Sequence, residues 1–227
     1  MTFKLRRAFT LAELLIAMLI FSFMMLSMVG IYSAANKHMF QNYRQNAVRS
    51  GALVAMKTIT ARLQEANRID IPAAGAAGNV LAFAVNVDNF SGCYRINPAI
   101  TPSWHFICHA PAVTVACPYG NCLYHHTGTI AGGGGCPGGP YWAVSYPVVC
   151  GQSGGTITQL AYDVVPTPSL FYRTDTDFAG RPLVKVRLRV FWDPPTDYTP
   201  GVRDFRSVGR RIDSTLVTAV KLNIAAP

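Results

Sequence analysis

The longest apolar run in the chain lies close to its N-terminus. Lys4, Arg6 and Arg7 precede this run, and no residue between Leu14 and Ala35 is charged. About 20 consecutive apolar residues suffice for a helix to cross a bilayer, so the pattern predicts a single membrane-spanning helix. Because basic residues concentrate on the cytoplasmic side of such helices, we expect a cytoplasmic N-terminus and an exported remainder.

A secretory signal peptide is the nearest alternative to an anchor. Its apolar core is only about 7–15 residues long and ends at a small-residue cleavage site. Here the apolar run is longer and continues into residues 36–68, a helix-compatible stretch without proline. The pattern therefore predicts an anchor that the chain retains.

The apolar periodicity changes after the anchor. Apolar residues then recur at helical spacing, which predicts an amphipathic helix over residues 36–70 that continues the anchor. One helix would therefore run from about Phe9 to Asn67. The segment Ile71–Asn79, which contains proline and glycine, ends it. The predicted buried face consists of Leu53, Met56, Thr60 and Leu63.

Strand patterns follow the helix. Basic and apolar residues alternate cleanly between Val184 and Trp192. A long N-terminal helix packed on an antiparallel β-sheet is an α+β fold, and we place the exported β-rich domain at residues 71–227. The other segments of strand composition are Val80–Val85, Thr156–Val164 and Ser214–Ile224.

Residues 91–155 form a Cys- and Gly-rich insertion in this domain. An even number of cysteines in a loop-like, exported segment predicts disulfides and an oxidising compartment, although the sequence leaves their pairing open. We expect little regular structure in the insertion. It contains all six cysteines of the chain: Cys93, Cys108, Cys117, Cys122, Cys136 and Cys150.

One carboxylate interrupts the apolar N-terminal run. In the stretch "RRAFTLAELLIAMLIFSF", residues 6–23, Glu13 stands at the start of the predicted membrane helix. An intramembrane carboxylate without a partner is costly and rare. Glu13 therefore requires a compensating interaction.

The stretch "FTLAELLIAML", behind a short basic leader and a small residue, resembles the type IV prepilin signature of pilins and type II secretion pseudopilins. The resemblance implies that prepilin peptidase, a membrane aspartyl peptidase, cuts between Ala8 and Phe9 and methylates the new amine. Residues 1–8 are then the leader, and residues 9–35 the transmembrane assembly helix. Ala8 stands where the family usually has glycine.

The resemblance also implies a role for Glu13, which becomes the fifth mature residue. In the family this glutamate pairs with the N-terminal amine of a neighbouring subunit as the filament assembles. Opposite charges in a low-dielectric helix bundle compensate part of each other's desolvation. A Glu13 side chain that snorkels to the lipid headgroups is the alternative.

W-type minor pilins and J-type pseudopilins have a similar late strand, polar loop and terminal strand. The corresponding segments here are residues 184–192, 193–211 and 214–224. The resemblance implies a minor pilin or pseudopilin subunit that is not an enzyme and needs no cofactor. It spans the inner membrane once and later reaches a pilus or the cell surface. Its expected partners are prepilin peptidase, other pilin or pseudopilin subunits and the inner membrane.

The net charge of +9 raises nucleic acid as a further partner. Cations interleaved with aromatic residues suit a nucleic-acid backbone and its bases. A solvated loop, or a contact with neighbouring subunits, explains the same residues, so nucleic acid is the less favoured partner. The residues concerned are Tyr198, Arg203, Phe205, Arg206, Arg210 and Arg211.

The competing class is a bitopic membrane protein whose exported Cys/His-rich domain binds metal or catalyses hydrolysis. Asp175 and Asp177 are too few carboxylates to specify calcium. Gly151, Ser153 and Gly155 satisfy G-x-S-x-G, but without the strand-to-helix setting that this motif needs. We expect neither a metal site nor catalysis. The candidate zinc ligands are Cys108, His109, Cys117, Cys122, His125 and His126.

Overall fold

The computed structural model describes residues 10–88, 96–111, 115–117, 121–130, 146–174, 182–192 and 212–222, without the side chains of Arg44 and Trp192. These residues form one long helix, α1 (Leu11–Gln64), and antiparallel sheets, which confirms the predicted α+β architecture. The strands are β1 (Ala66–Ile71), β2 (Ala77–Gly78), β3 (Val80–Val85), β4 (Ser103–Ala110), β5 (Cys122–Thr129), β6 (Thr156–Ala161), β7 (Val164–Val165), β8 (Phe171–Thr174), β9 (Leu183–Trp192) and β10 (Ile212–Lys221).

The first part of α1 carries the apolar anchor sequence. Every residue from Leu11 to Ala35 is exposed. Among the described residues, α1 is the one helix that is long and apolar enough to cross a membrane. Continuous exposed apolar surface of this kind needs lipid or other protein around it.

The second part of α1, residues 45–64, packs on the domain through an apolar stripe at helical spacing. The prediction that Leu53 lies on this face is wrong, because its side chain is 55% exposed. Two alanines, Ala52 and Ala55, are buried in this part of the contact instead. The buried residues are Ala52, Ala55, Met56, Ile59 and Leu63.

The helix ends earlier than the sequence predicts. We expected helix as far as Asn67, but α1 ends at Gln64 and β1 begins at Ala66. No glycine or proline marks this end. Residues 66–71 pair with β3 and place Ala66 and Ile69 in the core. Tertiary pairing therefore overrides the local helix propensity of this segment.

The strands form two antiparallel sheets. Sheet A has the order β1-β3-β4-β5-β6, and sheet B has the order β10-β9-β8-β2, with β7 also paired to β9. The predicted strands correspond to β3, β6, β9 and β10. The expectation that the insertion lacks regular structure is wrong, because β4 and β5 lie in it and occupy the middle of sheet A.

Sheet A is buried on both faces. One face, together with the inner face of sheet B, packs against α1 to form the main core, which includes Ile59, Leu63, Leu81, Phe83, Ile107, Leu123, Phe171, Val186 and Leu188. The opposite face carries a second cluster, partly covered by Tyr146 and Cys150, which includes Ala82, Trp104, Phe106, Cys108, Cys122 and Tyr124. Strands buried on both faces lose the simple in–out alternation.

Asn86 fixes the turn that follows β3. Its φ is 61°, and its side chain is only 5% exposed. Its Nδ2 donates to the carbonyls of Asn97 at 2.8 Å and Ile100 at 2.6 Å, and its Oδ1 accepts from the Asn97 amide at 2.6 Å. Its own amide donates to Oδ1 of Asn67 at 2.5 Å, which ties this turn to β1.

We predict that Asn86→Ala lowers the free energy of unfolding by roughly 3 kcal/mol, since each lost buried hydrogen bond is worth about 1 kcal/mol and alanine tolerates positive φ poorly. Asn86→Gly adopts the positive φ without strain but loses the same side-chain hydrogen bonds. Its stability should therefore lie between those of wild type and Asn86→Ala. Denaturant unfolding in detergent, followed by tryptophan fluorescence, measures the difference. Equal stability of Asn86→Ala and wild type would contradict the role of this turn.

Candidate functional site

Glu13 caps the helix on which it lies. The hydroxyl oxygen of Thr10 accepts from the Glu13 amide at 3.3 Å, and the Thr10 amide donates to Oε2 of Glu13 at 2.9 Å. The Thr10 hydroxyl lies 3.0 Å from the same Oε2. This reciprocal arrangement is a capping box. It satisfies backbone donors that the first turn of a helix otherwise leaves without partners.

The capping box leaves Glu13 with capacity for another partner. Both bonds from Thr10 end on Oε2. A carboxylate has two oxygens with about four acceptor positions, so Oε1 can accept from a further donor. The predicted processing site, Ala8 and Phe9, lies outside the described residues.

Two disulfides fasten the insertion to sheet A. Cys108 of β4 bonds to Cys150 across 42 residues, and Cys117 bonds to Cys122, at the start of β5, across 5 residues. No described cysteine is free. The remaining candidates, Cys93 and Cys136, lie outside the described residues. A cross-link that closes the longer loop constrains the unfolded chain more.

His126 holds the turn that follows Cys150. The Gly151 amide donates to Nε2 of His126 at 2.8 Å, so the neutral ring carries its proton on Nδ1, which lies 3.0 Å from the Gly154 carbonyl and donates to it. The ring is fully buried. Gly155 has a φ of +69°, and a Cβ there would lie 2.2 Å from the Thr127 carbonyl oxygen. The glycines around Ser153 are therefore required by packing.

The residues considered for zinc do not converge on one point. Among the described residues, one group of three metal-ligating side chains lies within 4.8 Å: Cys108, His126 and Cys150. Its two sulfurs are bonded to each other, and both nitrogens of His126 are engaged. Cys117 is bonded to Cys122. His125, adjacent to His126 on β5, points to the opposite face of sheet A.

A second buried pair joins β4 to β5 on the side of sheet A that faces α1. Nδ1 of His105 lies 2.9 Å from Nε2 of His125, so one imidazole donates and the other accepts. The ring planes are 14° apart and the centroids 5.1 Å apart. With nitrogens this close, the rings meet edge to edge rather than face over face. Phe83 stacks on His105, with its centroid at 5.0 Å.

Burial is the main reason that the pKa of both His105 and His125 is lowered to about 4. The charge of His125 and of Arg62 lowers the pKa of His105 further, and Arg62 and His126 act likewise on His125. Arg62 lies in the last turn of α1, 3.0 Å from Glu65. Protonating the pair would therefore place like charges together in a buried setting.

The hydrogen-bonded row continues to Ser103, whose Oγ lies 3.4 Å from Nε2 of His105. Hydroxyl, imidazole and orienting group follow the order of a hydrolase triad. Here the orienting group is a neutral imidazole, and a base with a pKa of about 4 is weak at neutral pH. Ser153 is exposed in a bend before β6, and no helix follows it in the described residues.

Tyr146 fastens the insertion to β1. Its hydroxyl donates to Oδ2 of Asp70 at 2.5 Å, and Nε of Arg68 lies 2.9 Å from Oδ1 of the same carboxylate. The Tyr146 ring stacks on Phe106 and meets the Trp104 ring edge to face. Burial, followed by the Asp70 carboxylate, raises the pKa of the tyrosine. The hydroxyl therefore stays a donor to the carboxylate at neutral pH.

Sequence reasoning identified Glu13 but missed Thr10 and the pair of histidines. The signal for Thr10 is T-x-x-E immediately before an apolar helix. Strand register decides the pairing of His105 with His125, because Thr127 stands opposite His105 and Ile107 opposite His125. The sequence carries no signal that sets this register.

We predict that stability falls as the pH drops from neutral towards 5. The pKa of His105 and of His125 is lowered from 6.5 to about 4 on folding, so between these values the unfolded chain binds more protons. Unfolding then becomes more favourable as the pH falls, by about 2–4 kcal/mol for the two groups together. Urea unfolding at a series of pH values measures the slope.

The double variant His105→Leu/His125→Leu removes both groups and should flatten this dependence. His38→Gln, at an exposed position on α1, is the matched control and should leave it unchanged. A wild-type stability that does not change between pH 7 and about pH 5 would show that the pair does not control acid stability.

Comparison with known proteins bears on the N-terminal segment. Residues 3–29 match the family model of the prokaryotic N-terminal methylation motif. No curated protein and no solved structure matches the chain. The matched segment contains Thr10 and Glu13, the two residues that form the capping box. The match supports a protein of the type IV pilin or pseudopilin type.

Proposed function

We propose that the chain is a minor pilin or pseudopilin subunit. It inserts in the inner membrane with its N-terminus in the cytoplasm, is cut by prepilin peptidase, and assembles through α1 into a type IV pilus or a type II secretion pseudopilus. The methylation motif over residues 3–29 and the long helix on antiparallel sheets support this role. The resemblance to W-type minor pilins and J-type pseudopilins rests on the pattern of the late strands.

The observation that carries the proposal is a carboxylate fixed at the capped start of an exposed apolar helix. Leu11 to Ala35 need apolar surroundings, and Glu13 needs a counter-charge within them. A bundle of such helices supplies both, provided that each subunit brings a positive group to the same level. The amine freed at Phe9 of a neighbour is such a group.

Neither catalysis nor metal binding is part of the proposed role. The row from Ser103 to His125 has a weak base and a neutral orienting group. The only convergent thiol–imidazole group among the described residues is closed by a disulfide. The basic residues between positions 193 and 211, and the carboxylates Asp175 and Asp177, lie outside the described residues, so they support no second function here.

Processing is the first test. In a host with active prepilin peptidase, intact mass should show loss of Met1 to Ala8 and a gain of one methyl group on Phe9. Ala8→Gly introduces the residue that the family usually has, and it should be cut at least as completely. Ala8→Leu should block the cut because a bulky side chain replaces a small one. A wild-type chain that keeps its leader in the presence of active prepilin peptidase would contradict the proposal.

The second test separates the charge of Glu13 from its capping bonds. Glu13→Gln keeps a capping-box side chain but removes the charge, whereas Thr10→Ala removes the hydroxyl and keeps the charge. We expect Glu13→Gln and Glu13→Ala to enter the membrane normally and to be depleted from filaments. Removing one member of a buried ion pair costs about 3–5 kcal/mol, which is enough for near-complete loss.

Thr10→Ala should still assemble, because losing an N-cap costs only about 0.5–2 kcal/mol. Immunoblots of sheared filaments against the membrane fraction measure incorporation. If Glu13→Gln reaches filaments at the wild-type level, the charge has no assembly role. If Thr10→Ala fails as completely as Glu13→Gln, capping rather than charge pairing explains the glutamate.

A further inference from the structure

Sheet edges expose unpaired backbone groups, and proteins usually protect them with bulges, short strands or inward charges. At one edge of sheet A, the pairing of β1 with β3 is irregular at two points. At the other, the pairing of β6 with β5 is irregular beside Leu123. At one edge of sheet B, β2 is only two residues long. Among the described strands, three of the four edges are therefore protected.

The fourth edge, β10, has no bulge, short strand or inward charge within its described residues. Its ten residues, Ile212–Lys221, pair with β9 in an unbroken register and include no proline or glycine. Threonine and valine make the strand a strong β-former. On the inward side, Ser214, Leu216 and Thr218 are only half-buried, although Leu216 packs against the main core. The edge of that core is therefore incompletely covered.

We propose that β10 pairs antiparallel with β10 of a second copy of the chain, centred on Val217. This register is self-complementary. Outward residues pair as Asp213 with Lys221 and Thr215 with Ala219, and Val217, which is 53% exposed, meets its own copy. Inward residues pair as Ile212 with Leu222, Ser214 with Val220 and Leu216 with Thr218. Each of these five pairs between different residues occurs twice, and the Val217 pair lies on the two-fold axis, as an isologous interface requires.

The charges favour this register over its neighbours. Asp213 and Lys221 stand four residues either side of Val217. At each end of the interface, the carboxylate of one copy therefore faces the ammonium of the other. Asp213 already accepts from Arg189 at 3.0 Å and 2.6 Å. The ammonium of the second copy adds a further positive charge beside this carboxylate. A slip of one residue would place inward side chains on the outward face.

The two-fold symmetry of this contact differs from the symmetry that relates subunits within one filament. Adjacent antiparallel strands are related by a two-fold axis perpendicular to the sheet. Residues 45–64 of α1 pack on the face of the sheets, so this axis reverses their direction. Subunits in one filament share a polarity, which the two copies joined at β10 do not. The β10 contact is therefore separate from the proposed assembly through α1 and does not depend on it.

Cysteine cross-linking of the full chain in detergent tests the register. Val217→Cys should give a disulfide-linked dimer under a mild oxidant, because directly opposed Cβ atoms lie about 4.5–5.5 Å apart, close to disulfide range. Thr215→Cys is the matched control and should not link to its own copy. The double variant Thr215→Cys/Ala219→Cys should link again. Equal cross-linking of Val217→Cys and Thr215→Cys would overturn the register.

Charge exchange tests the same interface without cross-linking. Asp213→Lys places two lysines opposite each other at both ends, and Lys221→Asp places two aspartates there. Light scattering should show each variant losing the dimer that wild type forms. An equimolar mixture of the two restores both charge pairs, so it should form the heterodimer and thereby show that both variants are folded. Wild type that stays monomeric, or a mixture that stays monomeric, would refute the proposal.

Discussion

Sheet A must be covered on both faces, because β3, β4 and β5 carry apolar side chains on both of them. Residues 45–64 of α1 cover one face, through alanines and larger apolar residues of a single stripe. The segment that follows Tyr146 covers part of the other. The insertion is therefore a structural layer of the domain. The Cys108–Cys150 disulfide ties the covering segment, residues 146–155, to β4 of this sheet.

Three polar side chains beside sheet A have hydrogen-bond partners that hold neighbouring segments in place. His126 uses both nitrogens to hold one turn, and Asn86 uses its amide group to hold another. Tyr146 reaches the carboxylate of Asp70. Burying such a group without a hydrogen-bond partner destabilises the fold, so these side chains favour the loop arrangement in which they are paired. The same chemistry that suggests zinc in the sequence serves here to position the backbone.

The fold class and the N-terminal motif could be predicted from the sequence because their signals are local. Alternation marks β9, and the uncharged run marks the anchor. The central strands β4 and β5 could not be predicted, because burial on both faces erases alternation and histidines and cysteines replace the usual apolar residues. The prediction of where α1 ends was wrong for a related reason, because Ala66 and Ile69 become part of a strand only by pairing with β3. Glu13 was identified from its cost in lipid, whereas its partner Thr10 was overlooked although the T-x-x-E pattern marks it in the sequence.

The connectivity of the disulfides also limits the order in which the domain can mature. Cys117 and Cys122 are synthesised between Cys108 and its partner Cys150. Pairing neighbours as they emerge would therefore join Cys108 to the wrong sulfur. Cys108 must either wait as a thiol until Cys150 arrives or leave an early partner by thiol–disulfide exchange. On the second route, correct maturation requires a compartment that reshuffles disulfides as well as one that forms them.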